Sequence, residues 1–131
     1  MIISVGIDLV EVERIRAAIE DPRIGLRFRG RIYTQHEIAY CEKKQRGRFQ
    51  SYASRFAAKE AVMKALGRGW GVQVRWLDIE VARAASGKPD IVLHHKTQRL
   101  AEQLGIRNWA LSITHTAHYG MAYVIAQDES R

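Results

Sequence analysis

The chain has 131 residues, 47% of them hydrophobic, enough for one compact domain over residues 1–131 and too few for two. No stretch approaches the roughly 18 uninterrupted apolar residues of a membrane helix, and Asp8 breaks the apolar N-terminal run before it could act as a signal peptide. Lys and Arg number 21 against 14 Asp and Glu, a formal net charge of +7, so an anionic partner is expected.

In chain order, residues 2–7 predict a strand that Asp8 ends, and residues 10–19 a helix with Val12, Ile15 and Ile19 at helical spacing, stopped by Asp21 and Pro22. Residues 23–31 carry four arginines around Phe28 and read as a basic stretch between helices rather than as an element. Thr34 followed three positions later by Glu37 is a capping box, opening a short helix through Lys43 in which Cys41 packs as a buried thiol. The single cysteine fits a reduced, cytoplasmic compartment.

A second basic run, residues 43–48, precedes a long helix over residues 48–66. Gly67 can close it in the left-handed conformation, and residues 67–71 form a loop where backbone can approach a ligand. The period then changes to two: Leu77, Ile79 and Val81 alternate with acidic residues, Ser86 to Pro89 forms a turn, and residues 91–94 return as a hairpin. A helix over 97–104 ends at Gly105, and strands 109–114 and 120–126 close the chain. Strands joined mostly by hairpins, with helices between them, predict an α+β fold with a mainly antiparallel sheet and a long central helix.

Two carboxylates stand where the fold pattern does not ask for them. Asp8 follows the apolar run of the first strand. On the long helix, at about 100° per residue from Phe56, Glu60 lies at about +40° beside Phe49, Tyr52, Ala53 and Met63, while Arg55, Ala58 and Ala61 point away from that side. Glu60 is therefore expected to face inward, where an ionised carboxylate needs a partner. Each has a structural alternative: Asp8 as a helix cap with Glu11 three residues on, and Glu60 in an ion pair with Lys59 at about −60°. As a pair without a Cys or His cluster they suit an oxygen-ligated cation, with magnesium completing its shell with water and phosphate. A nucleophile triad from Ser112, His115 and Asp8 lacks any elbow pattern around the serine, and His118 reads as a turn residue.

The segments 6–15 (Gly-Ile-Asp-Leu-Val-Glu-Val-Glu-Arg-Ile) and 55–67 (Arg-Phe-Ala-Ala-Lys-Glu-Ala-Val-Met-Lys-Ala-Leu-Gly), the Gly87-Lys88-Pro89 turn and Leu111 to His115 occur in the order and spacing of the holo-acyl carrier protein synthases. The chain resembles that family from end to end. The resemblance implies a magnesium-dependent 4′-phosphopantetheinyl transferase that moves phosphopantetheine from coenzyme A to a serine of apo acyl carrier protein, with adenosine 3′,5′-bisphosphate released. It also implies a cytoplasmic homotrimer of fatty acid biosynthesis with coenzyme A between subunits.

Carried over by position, the resemblance assigns Asp8 and Glu60 as metal ligands and, with Lys59, as catalytic residues. It assigns Arg55, Lys64, Gly67, Lys88, Pro89, Thr114 and His115 to coenzyme A, and Arg14 and Arg27, with Arg29 as a further candidate, to the acidic carrier protein. Members commonly have Gly-Thr-Gly where this chain has Gly67-Arg68-Gly69, and a small residue, often Ala, at Gly120, where glycine is expected to cost strand stability and nothing else. A basic nucleic-acid module would explain the charge but not Glu60, and a nucleotide phosphohydrolase would differ only in taking water as its nucleophile. No membrane or nucleic-acid partner is expected.

Overall fold

The computed structural model describes residues 1–129. Strand β1 (Ile2–Glu11) leads into helix α1 (Val12–Glu20), followed by α2 (Gly25–Ile32), α3 (Gln35–Lys43) and the long α4 (Arg48–Leu66). The hairpin β2 (Ile79–Arg83) and β3 (Pro89–Leu93), helix α5 (His95–Gln103) and strands β4 (Asn108–His115) and β5 (Tyr119–Gln127) complete the chain. The architecture is the expected α+β class: an antiparallel sheet of order β1-β5-β4 and a separate antiparallel pair, β2 with β3. No helix among the described residues is long and apolar enough to cross a membrane.

Local chemistry sets the helix ends where it was legible. Thr34 accepts a hydrogen bond from the Glu37 N–H at 3.2 Å, and the Glu37 carboxylate accepts one from the Thr34 N–H at 2.8 Å, the reciprocal capping box that starts α3. Helix α4 ends at Gly67, whose φ of +75° lets its N–H reach Lys64 O (3.1 Å) and the Arg68 N–H reach Met63 O (3.1 Å). The largest differences from the sequence reading lie in the first quarter of the chain. Strand β1 runs past Asp8 to Glu11, because β5 pairs with it from Ile2↔Gln127 to Glu11↔Tyr119. Helix α1 therefore starts at Val12, and Asp8 is no cap. The basic stretch around Phe28 is a helix, α2, that packs on α1.

Helix α4 crosses one face of the sheet and touches β1, β5, α1, α3 and β2. It is buried nearly all round rather than along one stripe: Tyr52, Phe56 and Met63 are buried, and so are Arg55, Ala58, Lys59 and Ala61. Its alanines let the sheet come close. A Cβ on Gly6 would overlap Ala61 O and lie 2.8 Å from the Ala61 carbonyl carbon. A Cβ on Gly120 would lie 2.7 Å from Ser54 N. Glycine at 120 is thus a requirement of the strand–helix contact, which corrects the expectation that it only weakens the strand.

The other face of the sheet is apolar and open. Ile3, Val5, Ile7 and Leu9 alternate along β1 at 40–59% exposure, and Tyr123 on β5, opposite Ile7, is 40% exposed. Both faces of β1 therefore carry apolar side chains, of which α4 covers only one.

Candidate active site

Asp8 sits on the face of β1 that Gly6 and Val10 turn toward α4, because residues two apart share a face. Its Oδ1 accepts from Lys64 Nζ at 2.9 Å, and the same ammonium donates to Ile7 O at 2.9 Å. The Asp8 side chain is 15% exposed and that of Lys64 54%. Glu60, one helical turn before Lys64, is half-buried. Burial, and then the negative charge of Asp8, raise the Glu60 carboxyl above the usual range, while Lys64 and Arg14 pull it down. The two carboxylates that lie 52 positions apart in the chain thus meet across the β1–α4 contact, within reach of each other's charge.

This donor set fits magnesium. Two hard oxygen ligands with mutual repulsion favour a divalent cation, and Mg²⁺ takes one or two carboxylates and fills its remaining positions with water or phosphate. The described residues offer no cluster of three or more His, Cys, Asp or Glu that would suit a closed protein cage.

Lys59 does not join this pair. Its side chain is fully buried, its Nζ lies 2.8 Å from Glu37 Oε1, and it donates to Trp76 O (3.0 Å) and Ile79 O (2.5 Å). Glu37 Oε2 in turn accepts from the Val81 N–H at 2.8 Å. Burial pulls the Lys59 pKa down, with the charge and hydrogen bond of Glu37 opposing. Lys59 is an internal tie between α4, α3 and the β2–β3 hairpin. Neither the catalytic role nor the ion pair with Glu60 that the sequence suggested survives this placement.

The remaining anion-binding candidates divide into groups. Arg55, Pro89 and His115 line one cavity of about 320 Å³ together with Tyr40, Lys44 and Arg83. Arg55 is 5% exposed, packs its guanidinium carbon 4.0 Å from the Tyr40 ring centroid, and leaves its Nε without a hydrogen-bond partner. Burial acts to raise the Tyr40 phenol, but a hydrogen bond from Lys44 and the charges of Arg55, Arg83 and Lys44 outweigh it, and the net shift is downward. Lys88 lines an adjacent cavity of about 290 Å³ that shares Pro89. Strand alternation places Thr114 on the opposite face of β4 from His115, and Ser112 beside Thr114, so Ser112, His115 and Asp8 do not assemble as a triad. Gly67 lies at the end of α4, one turn beyond Lys64.

Arg14 projects from α1 with its guanidinium carbon 5.7 Å from the Phe56 ring centroid, close enough to act on Glu60. Arg27 is exposed on α2. Arg29 is engaged with Glu42 at 3.5 Å. Lys44 falls in the basic run of residues 43–48, whereas Tyr40 and Arg83 had no sequence signal of their own.

The chain resembles known proteins over its whole length. The chain is 56% identical over 128 residues to the holo-[acyl-carrier-protein] synthase of Solibacter usitatus, covering 98% of this chain and 100% of that one. It is 48% identical, with the same coverage, to the holo-[acyl-carrier-protein] synthase of Koribacter versatilis. Among solved structures, the holo-[acyl-carrier-protein] synthase of Neisseria meningitidis superposes with a TM-score of 0.83 at 31% identity, over 97% of this chain and 99% of that one. The Helicobacter pylori holo-[acyl-carrier-protein] synthase in complex with coenzyme A superposes with a TM-score of 0.80 at 31% identity, over 94% and 99%. Residues 4–124 match the model of the 4′-phosphopantetheinyl transferase superfamily, and with full-length relatives at this identity the chain belongs to that superfamily.

Proposed function

We propose that this protein transfers the 4′-phosphopantetheine group of coenzyme A to a serine hydroxyl of an apo acyl carrier protein and releases adenosine 3′,5′-bisphosphate. The observation that carries the reading is the Asp8–Glu60 pair beside Lys64, on a chain with full-length relatives of that name. Asp8 and Glu60 would hold Mg²⁺, which would supply positive charge against the diphosphate of coenzyme A. Lys64, more than half exposed beside Asp8, adds its ammonium to the same diphosphate. The carrier's hydroxyl is the nucleophile at phosphorus and the nucleotide is the leaving group, so no side chain of this protein needs to form a covalent intermediate.

Arg55, His115 and Pro89, with Lys88, Gly67 and Thr114, hold the nucleotide part of coenzyme A. Arg55 and Glu60 point about 140° apart around α4. That divergence favours a site completed between subunits, and the outward position of Thr114 is consistent with it. The open apolar face of β1 and β5 supports assembly, for which we adopt a homotrimer. Arg14 and the exposed Arg27 of α2 provide positive charge for an acidic carrier. The buried lone thiol of Cys41 suits a cytoplasmic protein.

Intact mass spectrometry of an apo carrier after incubation with this protein, coenzyme A and Mg²⁺ tests the reading. A gain of one phosphopantetheine group, abolished by chelation, is the expected result. No gain with several carriers would overturn it.

A further inference from the structure

The two glycines of α2 have opposite surroundings. A Cβ on the exposed Gly30 would meet nothing within 4 Å. A Cβ on the buried Gly25 would stand 2.0 Å from Ile19 O and 2.9 Å from the Ile19 carbonyl carbon, in the last turn of α1. Carbon and oxygen ordinarily approach to about 3.3 Å, and the obstacle is backbone, so a side chain at 25 lifts the start of α2 off α1 by about 1 Å. The far end of α2 is fixed independently: Ile32 and Tyr33 are buried, and Tyr33 Oη donates to Tyr52 O at 2.9 Å. Gly25 therefore sets how closely the first turn of α2 lies on α1, and that contact offsets the helix propensity the glycine gives up.

What this contact places is charge. Arg16 and Arg29, on the same two helices, are tied to Glu13, Glu20 and Glu42. Arg14 on α1 and Arg27 and Arg31 on α2 are exposed and form no ion pair among the described residues. Arg31 sits beside the fixed end of α2, whereas Arg27 lies two residues from Gly25 and moves with the first turn. An acidic surface engages Arg14 and Arg27 together only where their spacing matches that of its own carboxylates. We propose that Gly25 is a positioning residue for the carrier: by letting α2 lie against Ile19 it holds Arg27 in register with Arg14. Affinity for the acidic carrier then depends on residue 25, and affinity for coenzyme A does not. The inference rests on the transferase reading for the identity of the partner.

Steady-state transfer, with carrier and coenzyme A varied in turn, is measured for the wild type, Gly25→Ala, Gly30→Ala, Arg27→Ala and the double variant Gly25→Ala with Arg27→Ala. Both glycine variants make the same helix-favouring change, so only the Ile19 contact distinguishes them. Gly25→Ala raises KM for the carrier about three- to fivefold, the contribution of one exposed charge pair, and leaves kcat and KM for coenzyme A within about twofold. Gly30→Ala matches the wild type. The double variant has the carrier KM of Arg27→Ala alone, because a guanidinium that is absent cannot be displaced. An unchanged carrier KM in Gly25→Ala, an equal defect in Gly30→Ala, or full additivity in the double variant would overturn the proposal. Calorimetric titration with adenosine 3′,5′-bisphosphate needs no carrier and gives one affinity for the wild type and Gly25→Ala. Loss of that binding, or of the fold, would make Gly25 a residue of the fold alone and overturn its selective role. Absence of transfer by the wild type would instead count against the transferase reading.

Discussion

Gly6→Ala tests whether the contact between β1 and α4 builds the site. The added methyl overlaps Ala61 O and stands 2.8 Å from the Ala61 carbonyl carbon and 3.1 Å from Ala65 N. Carbon atoms in contact normally sit about 3.5–4.0 Å apart, so strand and helix have to separate by about 1 Å. The obstacle is helix backbone, which no rotamer change relieves. Overpacking of this kind costs about 1–3 kcal/mol, and the upper end applies here because α4 is held on its other sides by α1, α3 and β2. For a domain of this size that lowers Tm by roughly 10 °C.

Asp8 lies two residues on, on the same face, and moves with the strand. Its 2.9 Å contact with Lys64 and its coupling to Glu60 are then lost together. A misplacement of about 1 Å at a reacting centre reduces rate about a hundredfold. Thermal denaturation and transfer kinetics on the same preparation read both effects. A Gly6→Ala protein with wild-type Tm and activity would refute the close contact and the argument that it aligns the carboxylates. Loss of stability with full activity in the folded fraction would refute the second step alone.

Replacing Lys59 by Met leaves Glu37 buried without its ion partner and destabilises the fold by about 3–5 kcal/mol in urea titration, whereas the double variant Lys59→Met with Glu37→Leu recovers part of the loss. Glu60 has a raised carboxyl pKa, so its contribution favours the fold below the usual carboxylate range and is lost as pH rises through the raised value. Glu60→Gln therefore raises Tm in chelator at neutral pH, removes the stabilisation that Mg²⁺ gives the wild type, and abolishes transfer; a variant that still gains Tm from Mg²⁺ would contradict the ligand assignment. Burial pushes the Cys41 thiol up to about 12, so native protein resists iodoacetamide at mildly alkaline pH and reacts only when unfolded, as counted by mass spectrometry. Ile7→Asp on the open sheet face lowers the molecular mass measured by sedimentation to that of a single chain, and an unchanged mass would remove this face from the proposed assembly.

What the sequence disclosed was the chemistry carried by neighbours in the chain. Thr34 and Glu37 form their capping box through bonds that span three residues, and Gly67 ends α4 through bonds within one turn, so both were legible. The missing information was held by distant partners. Asp8 resembles the end of a strand until β5 is known to pair with residues on both sides of it. Helix α2 contains two glycines and three arginines, and its helicity depends on packing against α1 rather than on propensity.

Helix α4 shows most clearly how a correct motif can carry a wrong geometry. A wheel centred on Phe56 assumes one buried face, the usual state of a surface helix. Here the sheet, α1, α3 and β2 surround the helix, so charge no longer marks the solvent side: Arg55 and Lys59 are buried, and Glu60 is the half-exposed member of that run. Each is held by a different neighbour, Arg55 by Tyr40, Lys59 by Glu37, Glu60 by the field of Asp8 and Lys64. Basic residues that look like one phosphate-binding row in the sequence thus divide into an internal tie, a basic cavity and a carboxylate-paired ammonium. Only the last two remain available to a ligand, and they face different sides of the helix. A donor with both anionic groups on one ribose cannot reach around a single helix to engage both, so the two meet on one ligand only where neighbouring subunits bring a basic cavity and a carboxylate pair together, as the proposed assembly allows.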